Sequence, residues 1–253
     1  MAQENIQSVE RTFAVLECLA AQGEMGVREL HGTTGLSVAT VHRILSTLTQ
    51  LGYVRQVEMG GRYALTYKML VLGNAVTRHH DVVQLVHPVL RELSAQAGET
   101  VHFAQWADTN IRYIDKVVPS TGVVVMGSYL GMELPLHSTA VGKAILAELP
   151  EEEARRLWER SEHRVYTPNT IVSWEELARQ LDQVRTDGVA YDEEEREPGI
   201  SCVGICIMDA AGQPTWAVSI SCADGRMQEN RAHYTQLLKQ AGERMRNLVG
   251  YSV

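Results

Sequence analysis

The chain has 253 residues, a formal net charge of −8 and four cysteines without paired spacing. That length leaves room for two domains, and scattered cysteines argue against a disulfide framework, so we expect reduced thiols in a cytoplasmic protein. No apolar run approaches the roughly 20 residues that a membrane helix needs, and the first residues lack the pattern of a signal peptide.

The first strong pattern along the chain is a helix-turn-helix. Apolar residues at helical spacing predict a first helix over residues 9–22. A short helix broken by a glycine turn follows over residues 27–36. Ser37 is then placed to cap a further helix over residues 38–51, because its hydroxyl can accept an amide hydrogen at the helix start.

A short hairpin comes next. Residues 53–57 and 62–65 flank Gly60 and Gly61, and two glycines accept the positive φ values of a tight turn. The pattern predicts a two-stranded wing. Residues 1–66 are therefore predicted to form a winged helix-turn-helix that binds double-stranded DNA.

The predicted recognition helix has an apolar face and a polar face. Four aliphatic residues of residues 38–48 stand at i, i+3, i+7 and i+10, which leaves the other face for DNA. Arg43 is expected in the major groove, and Arg62 of the wing on phosphate or in the minor groove. The alternative is a small helical subdomain that binds no nucleic acid. The candidate DNA-binding residues are Ser37, Ala39, Thr40, His42, Arg43, Ser46, Thr47 and Arg62.

The charge distribution favours a protein that binds DNA as a dimer. Residues 1–80 hold 7 Lys/Arg against 6 Asp/Glu, and residues 81–253 hold 16 against 25, so a single DNA-binding domain has little positive charge. Two-fold pairing would double the contacts and produce a palindromic operator. We expect a homodimer, pairing further into a dimer of dimers, with contacts from the first helix and from a linker helix over residues 67–76 within a linker of residues 67–80.

Strands and helices alternate in residues 81–253. The predicted helix 81–97 contains Pro88, which either bends it or marks its true start. Neighbouring strands joined by short turns predict a mainly antiparallel sheet flanked by helices, so the chain is α+β with two domains. The predicted strands are residues 101–106, 111–118, 123–126, 202–208 and 216–221, and the further helices are residues 138–148, 151–160, 174–187 and 226–249.

Several short motifs follow one another in order along nearly the whole chain. They include Gly-Leu-Ser at 35–37, Thr-Val-His-Arg at 40–43, Gly-Arg-Tyr-Ala-Leu at 61–65, Leu-Pro-Leu-His at 134–137, Gly-Lys-Ala at 142–144 and Tyr-Asp-Glu-Glu-Glu at 191–195. Their order and spacing resemble the IclR family of transcription regulators. The resemblance implies a winged helix-turn-helix joined to a GAF-like effector domain, acting as a dimer or a dimer of dimers. The chain departs from the family at His31 and Gly32, where small helix-favouring residues are usual.

A helix start near residue 139 is the predicted effector site. The amides of residues 139–142 would point outward unpaired, and such a helix start binds carboxylates well. Ser219 and Ser221 are two apart on a strand, so both hydroxyls lie on one face. The resemblance implies a pocket that also includes Val123 and Met126 from a neighbouring strand. The candidate effector-binding residues are Val123, Met126, Thr139, Ala140, Val141, Asp192, Cys202, Ser219 and Ser221.

Some of these residues have simpler interpretations. The two serines could be ordinary strand residues, and Glu193 and Glu195 are most simply part of a solvated acidic loop. Asp192 would repel an anionic ligand unless it accepts a ligand hydroxyl or is protonated. A zinc site of Cys202, Asp192 and His137 is conceivable but weak, because it offers one thiol and mixed partners, so neither a metal nor a cofactor is expected.

An enzyme is the rival class of protein. The sequence has no nucleophile elbow, phosphate-binding loop or dinucleotide fingerprint, so no catalytic residue is assigned. A constitutive architectural DNA binder that ignores small molecules is a further alternative. We expect a repressor of a catabolic operon controlled by a small organic or sugar acid, with a transcription activator of the same architecture as the alternative. Tyr129 and Tyr191 are the only aromatic residues near the predicted pocket by sequence, which favours a small aliphatic acid.

Overall fold

The computed structural model describes residues 6–57, 61–72, 81–119 and 127–250. Its contacts divide the chain into two compact units, which meet between His79 and His80. The described part contains no helix that is both long and apolar enough to cross a membrane.

The first unit is three helices followed by a small hairpin. Its core is aliphatic and includes Val15, Leu30 and Leu45, all without exposed surface. The predicted hairpin is present, with Arg55 opposite Ala64 in an antiparallel pair, although the centre of its predicted turn lies outside the described residues. The elements are α1 (Gln7–Gln22), α2 (Val27–Thr34), α3 (Val38–Gln50), β1 (Val54–Gln56), β2 (Tyr63–Leu65) and α4, described over residues 68–72.

The turn between α2 and α3 is held by local hydrogen bonds. Gly35 follows α2 with φ of 69°, the left-handed conformation that glycine adopts readily. The His31 ring nitrogen Nδ1 lies 2.6 Å from the Leu36 carbonyl oxygen and bridges the turn. The Ser37 hydroxyl accepts the Thr40 amide at 3.2 Å, which confirms its predicted role as the α3 cap.

The second unit is built on one six-stranded antiparallel sheet of order β5-β4-β3-β8-β7-β6. The prediction of a mainly antiparallel α+β domain is confirmed. The elements are α5 (Asp81–Ala97), β3 (Thr100–Ala107), β4 (Asn110–Val117), β5 (Glu133–Pro135), α6 (Ala140–Glu148), α7 (Glu151–Arg160), α8 (Trp174–Asp187), β6 (Ala190–Glu193), β7 (Ile200–Ile207), β8 (Trp216–Ala223) and α9 (Asp224–Gly250).

Two sequence-based expectations about these elements need comment. Helix α5 continues through Pro88, so this proline does not mark the helix start. The acidic segment predicted as a loop is partly the edge strand β6, in which Tyr191 pairs with Val203 and Asp192 with Cys202. The predicted strand over residues 123–126 lies outside the described residues.

The sheet separates two apolar cores. Helices α5 and α9 cover one face, where Phe103 and Ile220 are fully buried. Helices α6, α7 and α8 form the core on the other face with Ile145 and Leu181. Helix α6 lies very close to the sheet because β7 has a glycine at position 204: a Cβ there would be 2.9 Å from the Ala140 carbonyl carbon. The start of α6 therefore sits directly on the sheet.

Candidate functional site

Helix α3 presents the surface that the sequence assigned to DNA. Val41, Leu45 and Leu48 are buried as predicted, but Val38 is 47% exposed because it lies in the first turn, beyond the core. Thr40 is half-buried. The other predicted residues of this surface are exposed: Ser37, Ala39, His42, Arg43, Ser46 and Thr47.

Arg62 has partners within its own unit. Its guanidinium donates to the Glu24 carbonyl oxygen through Nε at 3.0 Å and pairs with the Glu29 carboxylate at 2.9 Å. Glu29 also accepts the Gly26 amide, and this hydrogen bond, followed by Arg62, holds the pKa of Glu29 below its ordinary value. Arg62 thus fastens the wing to the α1–α2 loop, and its contact with DNA stays a prediction.

Sequence reasoning overlooked two other arginines of this unit. Arg28 on α2 and Arg55 on β1 are both exposed, and neither side chain has a hydrogen-bond or ion-pair partner in the described part of the chain. Each is a free cation beside the predicted DNA surface elements. The sequence prediction of DNA-binding residues uses the apolar spacing of α3, which carries no information about side chains on α2 and β1.

In the second unit, a cavity of about 200 Å³ opens where the start of α6 meets the sheet. The structure brings seven of the nine predicted effector residues to its wall. Val123 and Met126 lie outside the described residues. The seven are Thr139, Ala140, Val141, Asp192, Cys202, Ser219 and Ser221.

One of the four amides predicted to be unpaired at the start of α6 is satisfied within the helix. Thr139 caps the helix, and its hydroxyl accepts the Gly142 amide at 3.1 Å. The prediction that the Gly142 amide would be unpaired is therefore wrong, because the cap residue satisfies it. The amides of Ala140 and Val141 have no acceptor among the described residues and can donate to a ligand.

Hydroxyl groups of the sheet face the cavity from the opposite side. Ser219 is only 2% exposed, and its hydroxyl has no partner in the part of the chain that is described. The Ser221 hydroxyl lies 3.3 Å from His102 Nδ1, and His102 Nε2 lies 2.8 Å from the Ser128 hydroxyl. Burial, followed by the charge of Lys116, lowers the pKa of His102 to about 3, so this ring is neutral at ordinary pH.

Asp192 is a buried acid at the cavity wall. Burial, and then the neighbouring charge of Glu195, raises its pKa to about 7, so a large fraction is protonated near neutral pH. Its Oδ1 accepts the Glu195 amide at 2.8 Å. The protonated form can donate a hydrogen bond and does not repel a carboxylate. The sequence requires Asp192 to be protonated or to accept a ligand hydroxyl, and protonation fulfils this requirement.

Glu195 is not solvated, contrary to the sequence-based interpretation. It is 4% exposed, and its Oε1 forms a buried ion pair with Lys143 of α6, which also donates to Gln180 at 2.7 Å. Glu193 is exposed, as that interpretation expected, and pairs with Arg231.

The aromatic wall of the cavity differs from the sequence-based expectation. Tyr113 lines it, stacked on His102 at 4.4 Å between ring centroids. Tyr129 is 64% exposed, and the Tyr191 hydroxyl forms a hydrogen bond with the Thr235 hydroxyl, so neither ring belongs to the cavity wall. Alternation along β4 was the available signal for Tyr113, but pairing with β3 is what places it here.

The suggested zinc ligands do not form a metal cluster. His137 packs against the rings of Trp158 and His163, and the described residues contain no group of three or more His, Cys, Asp or Glu that could hold a metal ion. Cys202 is held as a neutral thiol, because desolvation and then the charge of Asp192 raise its pKa well above the ordinary value.

Comparison with known proteins assigns both units to one family. Residues 8–58 match the family model for the IclR helix-turn-helix domain, and residues 74–247 match that for the bacterial transcriptional regulator IclR C-terminal domain. The chain belongs to the IclR family. It is 35% identical to the HTH-type transcriptional regulator KdgR of Dickeya chrysanthemi over 249 residues, which cover 98% of this chain and 81% of KdgR.

Other IclR-family relatives agree with this assignment. The transcriptional repressor IclR of Escherichia coli strain K12 is 35% identical over 233 residues, covering 91% of this chain and 85% of the repressor. The crystal structure of Thermotoga maritima IclR has a TM-score of 0.82 at 33% identity and covers 98% of this chain and 100% of that one. The family members are DNA-binding transcription regulators and not enzymes, and so is this chain.

Proposed function

We propose that this IclR-family regulator is a repressor of a catabolic operon. A small organic or sugar acid, bound in the cavity of its second unit, would weaken or strengthen its binding to the operator. The observation that carries the proposal is that this cavity combines the amides of Ala140 and Val141 with the hydroxyl of Ser219, none of which has a partner among the described residues. Buried polar groups without a partner cost about 1–3 kcal/mol each, so a ligand that satisfies them is favoured. Acting on chromosomal DNA would place the protein in the cytoplasm.

The names of relatives support repression ahead of activation. The Escherichia coli IclR is named a transcriptional repressor, and a Salmonella typhimurium relative is named an acetate operon repressor. An activator of the same architecture is the second candidate. Reporter expression from the operator in cells with and without the gene decides between them, since loss of a repressor raises expression and loss of an activator lowers it.

The effector is proposed to act by favouring one arrangement of the domain. A ligand shifts an equilibrium only by its differential affinity for the two states, so the ligand-bound second unit must hold the winged helices differently to change DNA binding. The test is a thermal-shift screen of organic and sugar acids, followed by titration of each hit against the operator complex. Ser221→Ala and Asp192→Ala should lose the response while retaining operator affinity. An effector that acts normally on both variants would place its site elsewhere.

DNA recognition is proposed to depend on Arg43 of α3. Its side chain is exposed on the polar face of α3, and its neighbours three and four residues further along the helix, Ser46 and Thr47, are exposed too. Losing an arginine that reads a base should cost about 1–3 kcal/mol and relax one operator position. Arg43→Ala is measured against Arg62→Ala on operator and random DNA. Unchanged affinity of Arg43→Ala for both DNAs would remove this assignment.

A homodimer, pairing further into a dimer of dimers on a palindromic operator, is the proposed assembly. The first unit exposes a group of large apolar side chains, which is unfavourable in a monomer in water. Two-fold pairing would bury them between subunits. They lie on the two elements that the sequence assigned to subunit contacts. The residues are Ile6, Val9 and Phe13 at α1, and Tyr67, Leu70, Val71 and Leu72 at α4.

A further inference from the structure

Arg196 is a cation of the cavity wall that the functions above do not use. It lines the same cavity as the start of α6, and its Nε is buried without a hydrogen-bond partner. No acidic group pairs with it in the described part of the chain. Its only ring contact there is with Tyr166, 4.0 Å from the guanidinium carbon to the ring centroid. A guanidinium with five donors is seldom left without an acceptor when it is half-buried.

Three of the neighbouring acids are engaged elsewhere, and the fourth, Glu197, is an exposed residue of the cavity wall that forms no ion pair with Arg196 in the described part of the chain. Glu193 pairs with Arg231, Glu194 accepts the Gly199 amide at 2.6 Å, and Glu195 pairs with Lys143. Arg196 therefore follows three consecutive glutamates in sequence and still has no carboxylate partner among the described residues. The fold keeps this charge available to something that enters the cavity.

The backbone that precedes Arg196 is fixed by hydrogen bonds. The Thr170 hydroxyl donates to the Glu195 carbonyl oxygen at 2.7 Å, and the Thr167 hydroxyl to that of Glu194 at 2.6 Å. The Glu195 amide in turn donates to Asp192 Oδ1 at 2.8 Å. Because the adjoining peptide units are held, placing the guanidinium at a ligand costs less conformational entropy than ordering a free surface arginine.

The cavity thus has two separate groups that favour an anion. One is the pair of amides of Ala140 and Val141, and the other is Arg196. The wall of the same cavity also carries neutral donors: the Ser219 hydroxyl and that of Tyr113, a residue only 7% exposed, each without a partner among the residues described. A ligand with one carboxylate would satisfy only one of the two anion-binding groups.

We propose that Arg196 is a specificity-determining residue of the effector cavity and that the effector is a short dicarboxylate, with one carboxylate on the amides at the start of α6 and the other on Arg196. This rests on the proposed effector function of the cavity and names its ligand class. The planar guanidinium can bind a carboxylate through two parallel hydrogen bonds, which a lysine cannot reproduce.

The experiment compares each dicarboxylate with its own monoamide. The full-length protein is titrated by calorimetry with dicarboxylates of three to six carbons, with and without a 2-hydroxyl group, and with the matching monoamides. The tightest dicarboxylate should bind roughly 10- to 100-fold more tightly than its monoamide, the range for a charge-assisted hydrogen bond. In Arg196→Gln that difference should vanish, while affinity for the monoamide stays the same. Arg196→Lys should restore only part of it.

Arg164→Gln is the matched control. Arg164 is exposed, lies over the same Tyr166 ring at 5.5 Å and does not line the cavity. Its substitution therefore removes an equal charge close to the cavity without changing the cavity wall. It should leave the dicarboxylate-to-monoamide ratio unchanged. Equal loss in both variants would show a long-range charge effect and overturn the proposal. A dicarboxylate that binds no better than its monoamide would also overturn the role of Arg196, while the proposed effector function would stand. If no acid binds at all, the proposed effector function itself is wrong.

Discussion

Asp192 links the pH dependence of folding to the cavity. Its pKa is about 7 in the folded protein against 3.8 for the free side chain, chiefly because it is buried. Between these values the folded state holds a proton that the unfolded state has lost, so the stability that this group contributes is fully present below about pH 4 and is lost as pH rises to about 7. In that window it lowers the free energy of unfolding by up to about 1.4 kcal/mol per pH unit.

The first prediction is that Asp192→Asn removes this dependence. The free energy of unfolding of the variant, relative to the wild type, should rise as pH goes from 4 to 7, because the amide keeps the oxygen that accepts the Glu195 amide but does not titrate. All four tryptophans lie in the second unit, so their fluorescence during urea unfolding reports on it. Glu193→Gln, at an exposed neighbour, is the control. Parallel pH profiles for Asp192→Asn and the wild type would contradict the assignment.

Individual residues also show where sequence reasoning stopped. The serine spacing in β8 and the helix start near residue 139 are local patterns, and the structure places both at the cavity. Glu195 appeared solvated because it stands in a run of acids, and its burial depends on Lys143, which is 52 residues away. Arg196 was overlooked for the same reason. Long-range partners decide whether a charge is buried, and sequence spacing does not contain them.

At the scale of elements, the helices and strands with regular periodicity were predicted to within a few residues. Strand β6 was predicted as a loop, and strand β5 was given no bounds. Strand β5 has three residues, and β6 has the acids Asp192 and Glu193 in place of an apolar alternation. What makes β6 a strand is pairing with β7, an edge contact that its own composition does not favour.

The second prediction concerns the contact of α6 with the sheet. Gly204→Ala would place a Cβ 2.9 Å from the Ala140 carbonyl carbon and 3.0 Å from the Val141 amide nitrogen, where only backbone can yield. The free energy of unfolding of the second unit should fall by about 1–3 kcal/mol, as for other overpacked sites, and the amides that face the cavity should move. Tryptophan fluorescence during urea unfolding measures the first effect, and calorimetry with the effector the second.

Gly225→Ala is the control for this substitution. Gly225 lies near the start of α9, and a Cβ there would meet nothing within 4 Å. This variant should be as stable as the wild type or slightly more so, because alanine restricts the unfolded chain. If Gly204→Ala were equally stable, the close approach of α6 to β7 would not be required.

At the scale of the whole molecule, the DNA-binding and effector-binding groups belong to different compact units. The candidate DNA residues all lie before residue 79, and the described residues that line the cavity all belong to the second unit. Substitutions that separate subunits at the first unit should therefore weaken DNA binding without changing intrinsic affinity for the effector. The two functions can be measured independently.

The third prediction is that Phe13→Glu and Leu70→Glu each disrupt the dimer. Both side chains are more than half exposed in the isolated chain, so glutamate is tolerated there by the fold but not in an apolar contact between subunits. Light scattering at micromolar concentration should show a shift toward monomer. Operator affinity should fall by roughly 100-fold, since the second half-site is no longer bound by a tethered partner, while calorimetry should give an unchanged effector affinity.

Val165→Glu makes the same change at an exposed aliphatic residue of the second unit and should leave the dimer intact. A dimer that persists in both variants would place the subunit contact elsewhere, and a monomer that still binds one half-site with full affinity would remove the need for two-fold pairing.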